Sequence, residues 1–222
     1  MQHAYVINMD KHADRWEAIQ QAWKGTFTLH RVPAVEASPG WIGCALSHLK
    51  CIEEAKARGD PYVLVWEDDC IPRIQSSGES MNPRVIASLW RGAMEPLARS
   101  TKWDIVIGAT SAVRKGATFD PTLSTPSLRL FHLEHGFTTH WTLYNRTVYD
   151  RMLAWKREEP IDVFMYKHAK VYVTLPFLAE QREGWSSIEQ RQTNYHAWFD
   201  SAESALRNSG IQVNQRGFKI IQ

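Results

Sequence analysis

Three consecutive carboxylates, Glu67-Asp68-Asp69, follow directly on the run Tyr62-Val63-Leu64-Val65-Trp66. An unbroken apolar run suits a strand buried on both faces, as at the centre of a parallel sheet. Each acid at the end of such a strand must be hydrated, paired or bound to a metal. Ligands of open α/β sheets sit at the carboxyl ends of the strands. A carboxylate cluster there makes a hard-cation site, and hard cations take oxygen ligands, phosphate oxygens among them. The chemistry these three residues suggest is the metal and diphosphate end of a nucleotide-sugar site.

The elements that must position them follow from the chain on either side. A helix from Ser47 to Arg58 and a Gly59-Asp60-Pro61 turn lead into the acid-tipped strand. Upstream, Ala4 to Met9 reads as a first strand, and Asp14-Arg15 open a helix carrying Trp16, Ile19 and Trp23 at helical spacing. The polar turn between them, Asn8 to Arg15, is where backbone N–H groups and a cation can meet phosphate. Phe27 to Val35 reads as a second strand, closed by the turn Ser38-Pro39-Gly40.

Downstream, Arg73 to Ser80 reads as a surface loop, and Asn82-Pro83 as a helix start with a capping residue before proline. Ile86, Leu89, Trp90, Ala93 and Leu97 give that helix one apolar face. Strands are expected at Trp103 to Ile107, Leu128 to Leu133, Thr139 to Tyr144 and Val171 to Leu175. The segment 109–127 reads as a long loop or lid. Val148, Met152 and Trp155 mark a helix, Pro160-Ile161-Asp162 starts another, and a last one is expected from Ile188 to Leu206. Alternating strands and helices argue for an α/β sheet with helices on both faces. The expected organisation is one domain, with 1–108 the nucleotide-binding half and 109–222 the acceptor half.

Composition narrows the class. The chain has 222 residues, 44% of them hydrophobic, enough to bury a sizeable core. Its net charge of +2 gives no strong field toward nucleic acid or a membrane surface. Three cysteines, Cys44, Cys51 and Cys70, show neither close pairing nor zinc-like spacing, which fits a reducing compartment. With no leader at Met1 and no apolar run of about 20 residues, the expectation is a soluble, cytoplasmic protein without a transmembrane segment.

Three separated pieces together resemble the family 25 glycosyltransferases, which include lipooligosaccharide galactosyltransferases and are related to collagen galactosyltransferases. They are Val6-Ile7-Asn8-Met9-Asp10 with Asp14-Arg15, Ile42-Gly43-Cys44-Ala45-Leu46-Ser47-His48 with Glu67-Asp68-Asp69, and Pro176-Phe177-Leu178-Ala179-Glu180-Gln181 with Ser186-Ser187-Ile188. The second piece is the most specific. The resemblance implies a GT-A fold with a mostly parallel central sheet, a UDP-sugar donor such as UDP-galactose or UDP-glucose, and an inverting transfer. It also implies a divalent cation, Mn²⁺ or Mg²⁺, a glycan or other hydroxyl acceptor, and a place in lipopolysaccharide biosynthesis.

Roles follow on that reading. Asp69 is the first metal ligand, Glu67 reaches the ribose or the metal, and Asp68 supports them. Arg15, with Asn8 and Asp10, contacts the nucleotide, since a guanidinium suits phosphate. Ser47 and His48 either hydrogen-bond uracil or ribose, or act as a helix cap and a helix-end histidine. Asp162 occupies the position expected of the general base, or else caps its own helix; Asp104 and Glu134 are rivals. His140 and His196 are candidate metal ligands, and Gln181 and Ser187 close over the phosphates or the acceptor. Cys44 and Cys51 are expected to face the core, as are most of Trp141, Tyr144, Trp155 and Tyr166. The competing readings are an inactive nucleotide-sugar-binding module, a phosphoesterase, and a glycosyltransferase acting on modified nucleic acid bases.

Overall fold

The computed structural model describes residues 2–186, 188–209, 211–213 and 219–221, the last two runs by their backbone alone. The elements run β1 (Gln2–Asn8), α1 (Ala13–Ala22), β2 (Phe27–Pro33), α2 (Gly40–Arg58), β3 (Tyr62–Glu67), β4 (Cys70–Pro72), α3 (Pro83–Ala98), β5 (Ile105–Ile107) and β6 (Val113–Phe119). They continue with β7 (Arg129–Gly136), β8 (Trp141–Asn145), α4 (Tyr149–Leu153), α5 (Ile161–His168), β9 (Val171–Leu175), β10 (Ala179–Gln181), β11 (Gly184–Ser186), β12 (Arg191–Thr193) and α6 (His196–Ser209).

An eight-stranded sheet has the order β2-β1-β3-β8-β5-β9-β7-β6. Strands β1, β2, β3, β5, β6 and β9 run one way; β8 and β7 are reversed. The sheet is therefore mixed α/β and mainly parallel in direction, with β8 inserted antiparallel between β3 and β5.

The pleat divides β3 between two cores. Val63 and Val65 face the core covered by α2, α4, α5 and α6, while Leu64 and Trp66 face the one covered by α1 and α3. This is why the strand reads as apolar throughout. Trp66 packs at a tilt against Trp141 of β8, with ring centres 4.4 Å apart, and both rings are tilted on Trp23. The same alternation directs Glu67 toward α2. Trp141, Tyr144 and Trp155 are buried core residues.

Helix α3 begins as its sequence requires: the Asn82 side chain accepts a hydrogen bond from the Arg84 N–H, and Pro83 follows. Four expectations are corrected. Helix α2 starts at Gly40, so Ser47 and His48 lie well inside it rather than at its opening. Gly43 is needed there because a Cβ would lie 2.5 Å from the Val35 carbonyl oxygen, where the helix presses on the segment after β2. Segment 109–127 is no lid, because Val113–Phe119 pairs with β7 as an edge strand. The last helix begins at His196, after a short β11–β12 hairpin. Arg73, expected in a surface loop, is only 2% exposed. Among the described residues no helix is long and apolar enough to cross a membrane.

Candidate functional site

The carboxyl ends of β1 and β3 and the segment after β2 open onto a cleft of about 680 Å³. Its walls carry Lys11, His12 and Arg15 from the β1–α1 turn, residues 34–40, and the tip Glu67, Asp68 and Asp69. A second cleft, of about 540 Å³, holds Asp162, Arg114, Thr138, Thr139, Tyr195 and Trp198. Glu67, Gln181, Ser186 and Ile188 line both, so the acid tip stands where the clefts meet. Trp185 and Trp198 are half-exposed at their rims.

The three acids have different surroundings. Asp68 is gripped by Arg15 at 3.0 Å and by the Asn8 amide at 2.7 Å. Burial still raises its pKa, against the Arg15 charge and the Asn8 hydrogen bond. Glu67 accepts a 2.6 Å hydrogen bond from Thr139, and the His48 Nε2 lies 3.6 Å from the same oxygen. Burial drives the Glu67 carboxyl up, but His48 and Thr139 outweigh it and hold it below the usual range.

Asp69 is the least satisfied. One oxygen accepts from Gln181 at 3.2 Å, while Oδ1 is buried with no hydrogen-bond partner. Burial, then the charges of Glu67 and Asp68, push its pKa up to about 7. A buried carboxylate held this way is relieved by a proton or by a cation. A divalent metal ion fits here on chemical grounds, because the unpartnered donor is a buried carboxylate oxygen of a residue that lines the first cleft.

Other expected residues are positioned as follows. Arg15 lines the first cleft and Asp162 the second. Asp162 accepts from the Val163 N–H at 2.9 Å and the Thr138 N–H at 3.5 Å, and burial raises its pKa. Asn8 is buried behind Asp68. Asp10 is exposed, pairs with Arg31 at 2.7 Å, and lines neither cleft. Ser47 donates to the Gly43 carbonyl and accepts from the Val35 N–H, so its hydroxyl proton is already committed to the backbone.

His48 is fully buried, with its Nε2 3.6 Å from the Glu67 carboxylate. His140 is also buried, packed edge-on against Phe199 with ring centres 5.3 Å apart. Burial lowers its pKa to about 4, so it is neutral at physiological pH. Neither of its ring nitrogens makes a hydrogen bond of good geometry, although the Ala179 backbone lies close enough to favour the charged form slightly. His196 contacts Glu180 at 3.2 Å and Asp200 at 3.5 Å, in an ion cluster around Arg73. Asp104 is tied to Arg151, Thr147 and the Lys170 N–H, and serves structure. Ser187 lies outside the described residues.

Sequence reasoning misses Arg182, whose backbone N–H and guanidinium hold the carbonyls of Asp69 and Asp68. It also misses Arg114, Tyr195 and Trp198 on the second cleft. A cation one residue after Gln181 is the available signal for Arg182.

No family model matches the chain, and no curated protein matches it. The likeness to family 25 thus rests on the three motifs alone. Among solved structures the chain is similar to A197 from STIV, at 11% identity over 86% of this chain and 93% of the other, with a TM-score of 0.44. It is similar to an apo UDP-glucose pyrophosphorylase at 9% identity, covering 93% of this chain and 81% of that one, with a TM-score of 0.43. A glycosyltransferase involved in glycosylation of the major capsid of PBCV-1 gives 8% identity, 90% and 98% coverage, and a TM-score of 0.42. With scores below 0.5, the reading of the site rests on its own residues.

Proposed function

We propose that this chain is an inverting glycosyltransferase of GT-A type, related to family 25, that moves galactose or glucose from a UDP-sugar to a hydroxyl acceptor. One observation carries the reading. A half-buried aspartate, Asp69, whose Oδ1 is buried and unpartnered, lines the same cleft as Arg15, and its neighbour Glu67 also lines the second cleft with Asp162.

In this reading Asp69 and Glu67 would hold Mn²⁺ or Mg²⁺, and the neutral His140 is the candidate third ligand. The cation, when bound, supplies positive charge to the diphosphate as it leaves. Arg15 and Lys11 give the first cleft its cationic side, where the nucleotide diphosphate binds. Asp68 orients Arg15 through their ion pair. Gln181, bonded to Asp69 and lining both clefts, positions the sugar between them. Asp162 takes the proton of the acceptor hydroxyl in the second cleft; its burial-raised pKa makes it a better base than an exposed aspartate. Trp198 and Tyr195 offer aromatic faces to an acceptor sugar.

The test is an array of UDP- and GDP-sugars with Mn²⁺, Mg²⁺ or EDTA, scoring donor hydrolysis and thermal shift. Asp162→Asn is expected to keep UDP binding and lose turnover by about 10²–10⁴-fold. If wild type binds a UDP-sugar but neither hydrolyses nor transfers it, the inactive-module reading replaces this one.

A further inference from the structure

We infer that Cys44, His48 and Glu67 form a binding site for a borderline transition-metal ion such as Zn²⁺; it shares Glu67 with the site proposed at Asp69 but adds a thiolate donor. Cys44 and His48 are four residues apart on α2, so they project from one face of the helix. One ligand atom from each of the three residues falls within a group no more than 4.8 Å across.

Three further observations point at a ligand. The His48 side chain is 0% exposed, yet its Nε2 has no hydrogen-bond partner and is aimed at Glu67 Oε1, 3.6 Å away. Tetrahedral zinc with nitrogen and oxygen donors at about 2.0–2.2 Å requires a donor–donor edge of about 3.4 Å. The existing gap therefore needs closing by only a few tenths of an ångström. The other ring nitrogen, Nδ1, lies 3.0 Å from the Tyr144 hydroxyl. That contact orients the imidazole, as outer partners do for metal-bound histidines. Finally, Cys44 and Glu67 both line the first cleft, which gives an ion an entry path.

The Cys44 sulfur must move inward by on the order of 1 Å to complete the set. Its thiol gives up a proton to solvent as the sulfur–metal bond forms, so binding one ion releases one proton. Sulfur and imidazole donors favour Zn²⁺ or Co²⁺ over Mg²⁺ and Mn²⁺. An ion here would tie Glu67 to α2, and on the glycosyltransferase reading would inhibit transfer. The binding itself does not depend on that reading.

The experiment is a Co²⁺ titration of the reduced full-length protein without nucleotide, followed by absorbance. The expected result is tetrahedral cobalt bands with a near-ultraviolet thiolate-to-cobalt transition, erased by a single equivalent of Zn²⁺ but not by Mg²⁺. Cys44→Ser should remove the thiolate transition, and His48→Gln should weaken Co²⁺ affinity at least tenfold. Circular dichroism checks the fold, and if the buried His48→Gln variant unfolds, Cys44→Ser carries the test. A folded wild type with no thiolate transition, or a transition that survives Cys44→Ser, overturns the site. Because no sugar donor is present, either result is independent of whether the chain transfers sugar.

Discussion

Two clusters of three acids lie within a few residues of each other in this fold, and they are built in opposite ways. Around Arg73, the carboxylates of Glu180, Asp200 and Glu203 converge on one guanidinium, and Arg207 adds a second charge to Glu203. At the acid tip, the Arg15 guanidinium is held by Asp68, and a buried oxygen of Asp69 has no partner. The ribbon of β10 on β4 joins them: along β10, Glu180 reaches Arg73 while the next residue, Gln181, reaches Asp69. The lesson is that buried negative charge alone does not mark a functional site. A closed hydrogen-bond account marks a structural cluster, and an open one marks a place left for a ligand.

The comparison breaks most visibly at Arg73. Arg73→Met should leave three acids without their shared cation and destabilise the protein by about 3–5 kcal/mol, measured by urea unfolding. An effect under about 1 kcal/mol would mean that the cluster is not the closed one.

The opposite sign is expected at the tip. An unfolded aspartate has a pKa near 3.9, whereas Asp69 is pushed up to about 7. Between those values the folded state holds more protons than the unfolded state, so stability falls as pH rises through that window. The loss amounts to roughly 1.4 kcal/mol for each pH unit crossed between the two values. Asp69→Asn should therefore melt higher than wild type at pH 8 without metal, and converge with it below pH 4. Saturating Mn²⁺ should erase the difference by stabilising wild type alone. Identical melting curves at pH 8 would remove the claim that this carboxylate is under-compensated.

A smaller effect is expected from Gly43→Ala, whose added Cβ meets the backbone oxygen of Val35 rather than a flexible side chain. It should cost about 1–3 kcal/mol and weaken UDP binding, because Val35 lines the first cleft. Least of all, Asp10→Ala should change stability by no more than about 0.5 kcal/mol and leave UDP affinity unaltered. A clear loss of affinity would return Asp10 to the nucleotide site.

Local pattern reveals the acid-tipped strand, the capped start of α3 and the aromatic core, because each depends on neighbours close in sequence. What it cannot reveal are pairings over long separations. Arg73 follows the apolar Cys70-Ile71-Pro72 and precedes a polar loop, and nothing nearby announces partners more than 100 residues away. His48 reads as a helix-end residue when Ser38-Pro39-Gly40 is taken wholly as a turn, whereas Pro39 stands at the N-cap position and Gly40 begins the helix. Segment 113–119 reads as loop because Gly116 and its flanking polar residues hide an edge strand that needs only one partner. The divided roles of Glu180 and Gln181 need the pleat of β10 to separate them.

The insertion of β8 between β3 and β5 has a consequence for how the molecule is made. A fragment ending at Gly108 would present two apolar strands with bare backbone edges, a template for association with other chains. During synthesis, the acid tip would stay without its Thr139 contact until residues well past 140 had emerged. The first half is thus expected to aggregate when expressed alone, and coexpression of 109–222 to rescue it.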